Sequence, residues 1–173
     1  MSRRSRCRHR PCGWGADGPV SYEFWKLIHL SGMVLLVGNV TVTSIWKIYA
    51  DRTRDARIIG FAQRLVTITD WFFTFWGILL LVVGGFAAAW MAGMDPLRDD
   101  WLVWSEVQFV LAGMIWLFLL VPIQVRQARM ARGFAAGGEI PEAYFVLGRR
   151  WIVWGLVATV PLVGAMWSMV AKA

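Results

Sequence analysis

The sequence predicts an all-α fold: a polytopic membrane protein whose four transmembrane helices form an up-down bundle. Three observations predict it. The 173 residues are 58% hydrophobic with a mean hydropathy of +0.53, above the roughly 45–50% apolar share of soluble domains. Four apolar stretches of about twenty residues are each long enough for a hydrocarbon core of roughly 30 Å. Each stretch also carries a stripe of polar or small residues at alternating spacings of three and four, which fall on one helical face. A helix that is apolar all round but for one such seam sits in lipid and turns the seam toward other helices.

Span one covers about residues 22–46, bracketed by Trp25 and Trp46 as interfacial aromatics. Its seam reads His29, Gly32, Leu36, Asn39, Thr43, Lys47. A basic loop follows, with Lys47, Arg52, Arg54, Arg57 and Arg64 against Asp51 and Asp55. Its alternating charge predicts a helical extension at the surface. Span two covers about residues 63–90 and has no charge from Trp71 through Met94. Its seam reads Gln63, Thr67, Asp70, Thr74, Gly77, Leu81, Gly84, Ala88, and its small members let helix backbones approach closely. The next loop is short and acidic, and Pro96 ends the helix there.

Span three covers about residues 101–125, with a seam of Glu106, Val110, Gly113, Leu117, Leu120 and Gln124. Pro122 predicts a kink. Arg126, Arg129 and Arg132 predict that the helix projects beyond the membrane and snorkels its charges outward. Pro141 is placed to start the last helix. Span four covers about residues 142–170, with a seam of Gly148, Ile152, Gly155, Thr159, Leu162, Met166 and Met169 and a second kink at Pro161.

The four spans make one membrane domain of residues 21–173 behind a disordered basic tail, residues 1–20. Within the tail Cys7 and Cys12 flank His9, but the spacing is not that of a zinc finger and a fourth ligand is lacking. The tail's composition also admits a mis-called start, with Val20 or Met33 as the alternatives. The formal net charge of +7 does not indicate a nucleic-acid partner. The basic residues flank membrane spans, where Lys and Arg set orientation and meet anionic lipids of the bilayer. Two Arg-rich loops and one acidic loop place loops one and three in the cytoplasm by the positive-inside rule. The protein is then multi-pass in the inner (plasma) membrane with both termini outside. Further partners on this reading are a second copy of the chain or another membrane protein.

Depth along the spans, at about 1.5 Å per residue, sorts the polar residues into two layers. The outer layer holds His29 and Glu106, with Met33, Met166 and Met169 near them; His29 and Glu106 are expected to pair. The inner layer holds Asn39, Thr43, Asp70 and Thr74, with Arg64 placed to fold back toward Asp70. His29 and Asp70 are separated by roughly 15 Å along the membrane normal and do not meet. A charged carboxylate at the centre of a transmembrane helix costs about 2.5–3.5 kcal/mol, so it survives with a partner, a proton or water. The contrasting reading is that these groups are hydrogen-bonded locks between helices, worth about 0.6–2 kcal/mol each.

With His29 to Gly38, the run Asp70-Trp-Phe-Phe-Thr74, the basic third loop and the terminal Met169-Val-Ala-Lys172, the chain resembles a bacterial family of predicted integral membrane proteins, domain of unknown function 2269. Its layout is similar to small four-span proteins with an early histidine, among them the copper-resistance D type and the four-helix protoporphyrinogen oxidase. The first of these implies copper held by His29, Met33, Met166 and Met169, since soft thioethers suit Cu(I). The second implies haem or porphyrin against His29. The Tyr-His-rich segment of the oxidases is here IWKIYADR, without histidine.

Three functions follow as expectations. The seam binds or translocates a small ligand, metal or proton, using His29, Asn39, Thr43, Arg64, Asp70, Thr74 and Glu106. Alternatively the protein is a structural or partner-binding subunit. A third reading is a redox protein with haem at His29. No nucleotide loop, hydrolase triad or metalloprotease helix points to an enzyme.

Overall fold

The structure is a computed structural model that describes residues 21–172. The sequence readings that concern the basic tail, Cys7, His9 and Cys12 lie outside the described residues. The described chain is all-helical, with four long apolar helices able to cross a membrane: α1 (Tyr22–Thr53), α2 (Ala56–Met91), α3 (Asp100–Phe134) and α4 (Glu142–Ala171). At 30 to 36 residues each, these helices run about 45–54 Å, longer than a hydrocarbon core of roughly 30 Å.

The excess length lies at the basic end. There α1 runs past Trp46 to Thr53 and turns directly into α2. Arg54 takes a left-handed conformation (φ 54°), and the Asp55 side chain accepts from the backbone N–H groups of Arg57 and Ile58 to cap α2. The expected surface extension is therefore the end of α1 and the first turns of α2. The opposite turn, at residues 92–99, carries the Arg98–Asp95 ion pair and Gly93 at φ 71°.

Two π-helical turns interrupt the spans: Asp70–Thr74 in α2 and Trp116–Leu120 in α3. In each, a backbone N–H reaches five residues back, Phe75 to Asp70 and Val121 to Trp116. A π turn adds a residue to the helical repeat. This corrects the expected seam of α3. Val110 and Leu117 are exposed, and the buried residues beyond the π turn are Leu102, Ser105 and Ala112. Counting outward from buried Gln124 and Leu120, the inward face is displaced by one residue from the strict α repeat. The face of Glu106 and Val110 is replaced by that of Ser105 and Ala112. In α1 and α2 most of each expected seam is buried: Gly32, Leu36, Asn39, Thr43 and Lys47, and Gln63, Asp70, Thr74, Gly77, Gly84 and Ala88. His29, Thr67 and Leu81 are half-buried, and Val66 takes the buried place beside Thr67.

The helices associate as two pairs. α1 packs along α2, and α3 along α4. The first pair is tight because of its glycines: a Cβ on Gly32 would collide with the Leu81 backbone, and one on Gly77 would lie 3.0 Å from the Leu36 nitrogen. The pairs join at the basic end, where Ala56–Thr69 of α2 packs on Val121–Phe134 of α3. Ala56, Ile59, Ala131, Phe134 and Tyr144 form a buried apolar cluster there. Away from that end, little backbone packing joins the pairs.

Candidate functional site

The polar centre of the molecule is built on the π turn of α2. Asp70 opens the turn and Thr74 closes it, and both are buried. Asn39 of α1 donates through Nδ2 to Asp70 Oδ1 at 2.8 Å and to Thr74 Oγ1 at 3.0 Å. The Thr74 hydroxyl donates to Asp70 Oδ1 at 3.4 Å. Gln124 of α3 lies beside the same carboxyl group. Asn39, Asp70 and Thr74 thus converge as their common depth predicts. Thr43 stays one turn away; its hydroxyl donates to the Asn39 carbonyl at 2.7 Å.

Arg64 does not join them. It is exposed, and its expected approach to Asp70 is absent. Among the described residues the two ion pairs are Lys47–Asp51 and Arg98–Asp95. Asp70 therefore has no cationic side chain as a partner. The reason is position: Arg64 lies six residues before Asp70, about a third of a turn away round the helix, and its side chain is exposed on the outside of the bundle.

The Asp70 cluster forms part of the wall of a cavity of about 200 Å³ in the crevice between the two pairs. All four helices line it. α1 supplies Leu36, Thr43 and Ser44; α2 supplies Asp70 and Thr74. α3 contributes Trp116 and Gln124, and α4 contributes Trp151, Gly155 and Thr159.

Closer to the basic end a second polar network ties the four helices. Lys47 is almost fully buried and bonds Asp51 at 3.2 Å and the Tyr144 hydroxyl at 2.9 Å. That hydroxyl lies 3.1 Å from Gln63 Oε1 and 3.4 Å from Asp51 Oδ1. Gln127 Nε2 donates to the Tyr144 carbonyl at 3.3 Å. Gln63 Nε2 and Gln127 Oε1 are buried without a protein partner. Lys47 is thus an interior residue, not a member of the basic loop. Its seam position signalled this, as did Asp51 four residues on. Tyr144 and Gln127 were missed, although Tyr144 extends the α4 seam one turn before Gly148.

The outer layer differs from its expectation. His29 Nδ1 lies 2.7 Å from the Leu81 carbonyl, which accepts its proton, and no bond joins it to Glu106. The cause is the pairing of helices. α1 lies on α2, whose Gly84 admits the His29 backbone and whose Gly85 makes room for the imidazole, while Glu106 belongs to the other pair. The same division separates His29 and Met33 on α1 from Met166 and Met169 on α4, helices whose backbones do not pack together. The buried α4 residues at this level are Ala165 and Ser168, one position before the expected Met166 and Met169, and Gln108 of α3 bonds Ser168 at 3.2 Å and lies against Gly164. Among the described residues no group of three or more His, Cys, Asp or Glu is placed to hold a metal ion.

These features define a class: a helical integral membrane protein with two polar clusters inside the bundle and a cavity at one of them. The chain belongs to the family described as predicted integral membrane protein (DUF2269), whose family model matches residues 23–173. No curated protein and no solved structure matches the chain.

Proposed function

We propose that the protein binds a small ligand or a proton at Asp70, inside the membrane. One observation carries this: a buried carboxylate without a cationic partner, on the wall of a cavity that all four helices line. The interhelical bond from Asn39, worth about 0.6–2 kcal/mol, offsets part of the about 2.5–3.5 kcal/mol cost of the charge. The Thr74 hydroxyl adds a longer bond from the same helix. A proton or a cationic ligand neutralises the rest. Asn39 and Thr74 orient the carboxyl group, and Thr43, Ser44, Gln124 and Thr159 add further polar groups to the wall.

The protein sits in the inner (plasma) membrane with its basic end in the cytoplasm. Exposed Arg126, Arg129 and Arg132 meet anionic headgroups there. A C-terminal reporter read as cytoplasmic overturns this orientation. The test of the site is Asp70→Asn, which keeps the shape and removes the charge. Loss of ligand or proton binding without loss of folding supports the reading. A second reading, a structural subunit, is favoured by the His29–Leu81 bond, which locks α1 to α2. It gains if Asp70→Asn and His29→Ala both lower thermal stability while every measured activity persists.

A further inference from the structure

We infer that the cavity takes a small organic cation: an alkylammonium group carried on an aromatic or branched apolar body. The inference rests on the reading of the cavity as a ligand site and names the ligand's chemistry.

Three features of the wall point to it. The first is charge. Asp70 is the one carboxylate that lines the cavity, and no Lys or Arg lines it. The second is the direction of the hydrogen bonds. Ser44 donates to the Val40 carbonyl at 2.7 Å, Thr43 to that of Asn39 at 2.7 Å, and Thr159 to that of Gly155 at 2.8 Å. Thr74 donates to Asp70. A hydroxyl has a single proton to give. Each of these four has given it to its own helix and offers a ligand only oxygen lone pairs. With Asp70 they give the wall five acceptor side chains, which suit the N–H donors of an ammonium group. The donors on the same wall include the Gln124 amide beside Asp70 and the indole N–H of Trp151, which has no protein partner.

The third feature is the remaining surface. Leu36, Ile78, Phe109, Ile152, Trp116 and Trp151 line it. The indoles can face a cation favourably; the aliphatic groups receive an apolar body. A volume of about 200 Å³ exceeds the roughly 150 Å³ of an engineered cavity that binds benzene. A hard inorganic divalent cation fits poorly, because it demands about six or more oxygen ligands or retained waters.

The test uses the full chain in lipid nanodiscs, with benzylammonium and its neutral isostere benzyl alcohol as probes in titration calorimetry. Gly155→Leu supplies the background for partition into lipid. Gly155 lines the cavity and has no neighbour within 4 Å of a built Cβ, so the larger side chain fills the space without a clash at Cβ. Saturable binding of benzylammonium, absent from Gly155→Leu and about tenfold or more weaker in Asp70→Asn, supports the inference. Benzyl alcohol should bind wild type about tenfold or more weakly by the same scale. Equal binding of the two probes, unchanged in Asp70→Asn but lost in Gly155→Leu, overturns the cationic class and leaves the ligand site standing. Failure of both probes to bind wild type above the Gly155→Leu background overturns the site as well. Monodisperse elution of each variant confirms that folding is not the variable.

Discussion

Lys47 Nζ donates to the hydroxyl of Tyr144 at 2.9 Å, across 97 residues of sequence. Both residues are almost fully buried. This bond joins the first helix to the last, in a place where their backbones do not pack. Asp51 supplies the counter-charge from α1, and Gln63 brings in α2. The junction of the two helix pairs is therefore polar at its centre and apolar around it.

Tyr144→Phe removes the hydroxyl and leaves the Gln63 oxygen without a donor. Stripping one partner from a buried hydrogen bond costs about 1–3 kcal/mol. Thermal unfolding in detergent should show the loss. A double-mutant cycle with Lys47→Met should give a coupling of about 0.5–3 kcal/mol. Additive effects would mean that the two side chains stabilise the fold separately.

Two glycines of α1 make a paired test of helix approach. A Cβ on Gly32 meets the Leu81 backbone, whereas one on Gly38 has nothing within 4 Å. Gly32→Ala should destabilise by about 1–3 kcal/mol, as overpacking does. Gly38→Ala should be neutral or stabilise by up to about 1 kcal/mol through helix propensity. Similar melting temperatures for the two variants would refute the close packing of α1 on α2.

His29→Ala deletes the bond to Leu81 and leaves a gap beside Gly85. The expected loss is about 0.6–2 kcal/mol, that of an interhelical bond in a membrane. Benzylammonium binding should be unaffected, because His29 does not line the cavity. Absorbance spectra of protein from haem-replete cells should match between wild type and variant. A Soret band lost in the variant would assign His29 to haem instead.

Arg64→Ala tests whether Asp70 has a basic partner. Arg64 is exposed and unpaired with any carboxylate of the described chain. Stability should stay within about 0.5 kcal/mol of wild type, and ligand affinity should not change. A large gain in benzylammonium affinity would show that Arg64 competes for the carboxylate in solution.

Much of this molecule is legible in its residues. The seams of α1 and α2 were readable because hydrophobic surroundings make each polar or small residue conspicuous, and both halves of α1 keep one phase. Asn39, Asp70 and Thr74 share a depth and duly meet. The α3 seam was not readable beyond Leu120, because the π turn at Trp116–Leu120 breaks the period on which the reading depends. His29 and Glu106 share a depth too, yet they lie on different pairs.

The sequence by itself determined the class: four apolar helices, their order, their polar faces and the depth of each group. These follow from hydropathy and helical phase, which are local properties of the chain. Only the tertiary structure decided which helices lie together. That choice depends on how closely two backbones can approach, and the Gly32, Gly77 and Gly84 face drew α1 onto α2. It sent His29 to a carbonyl instead of a carboxylate, buried Lys47 against Tyr144, and left Asp70 facing a cavity without a counter-charge.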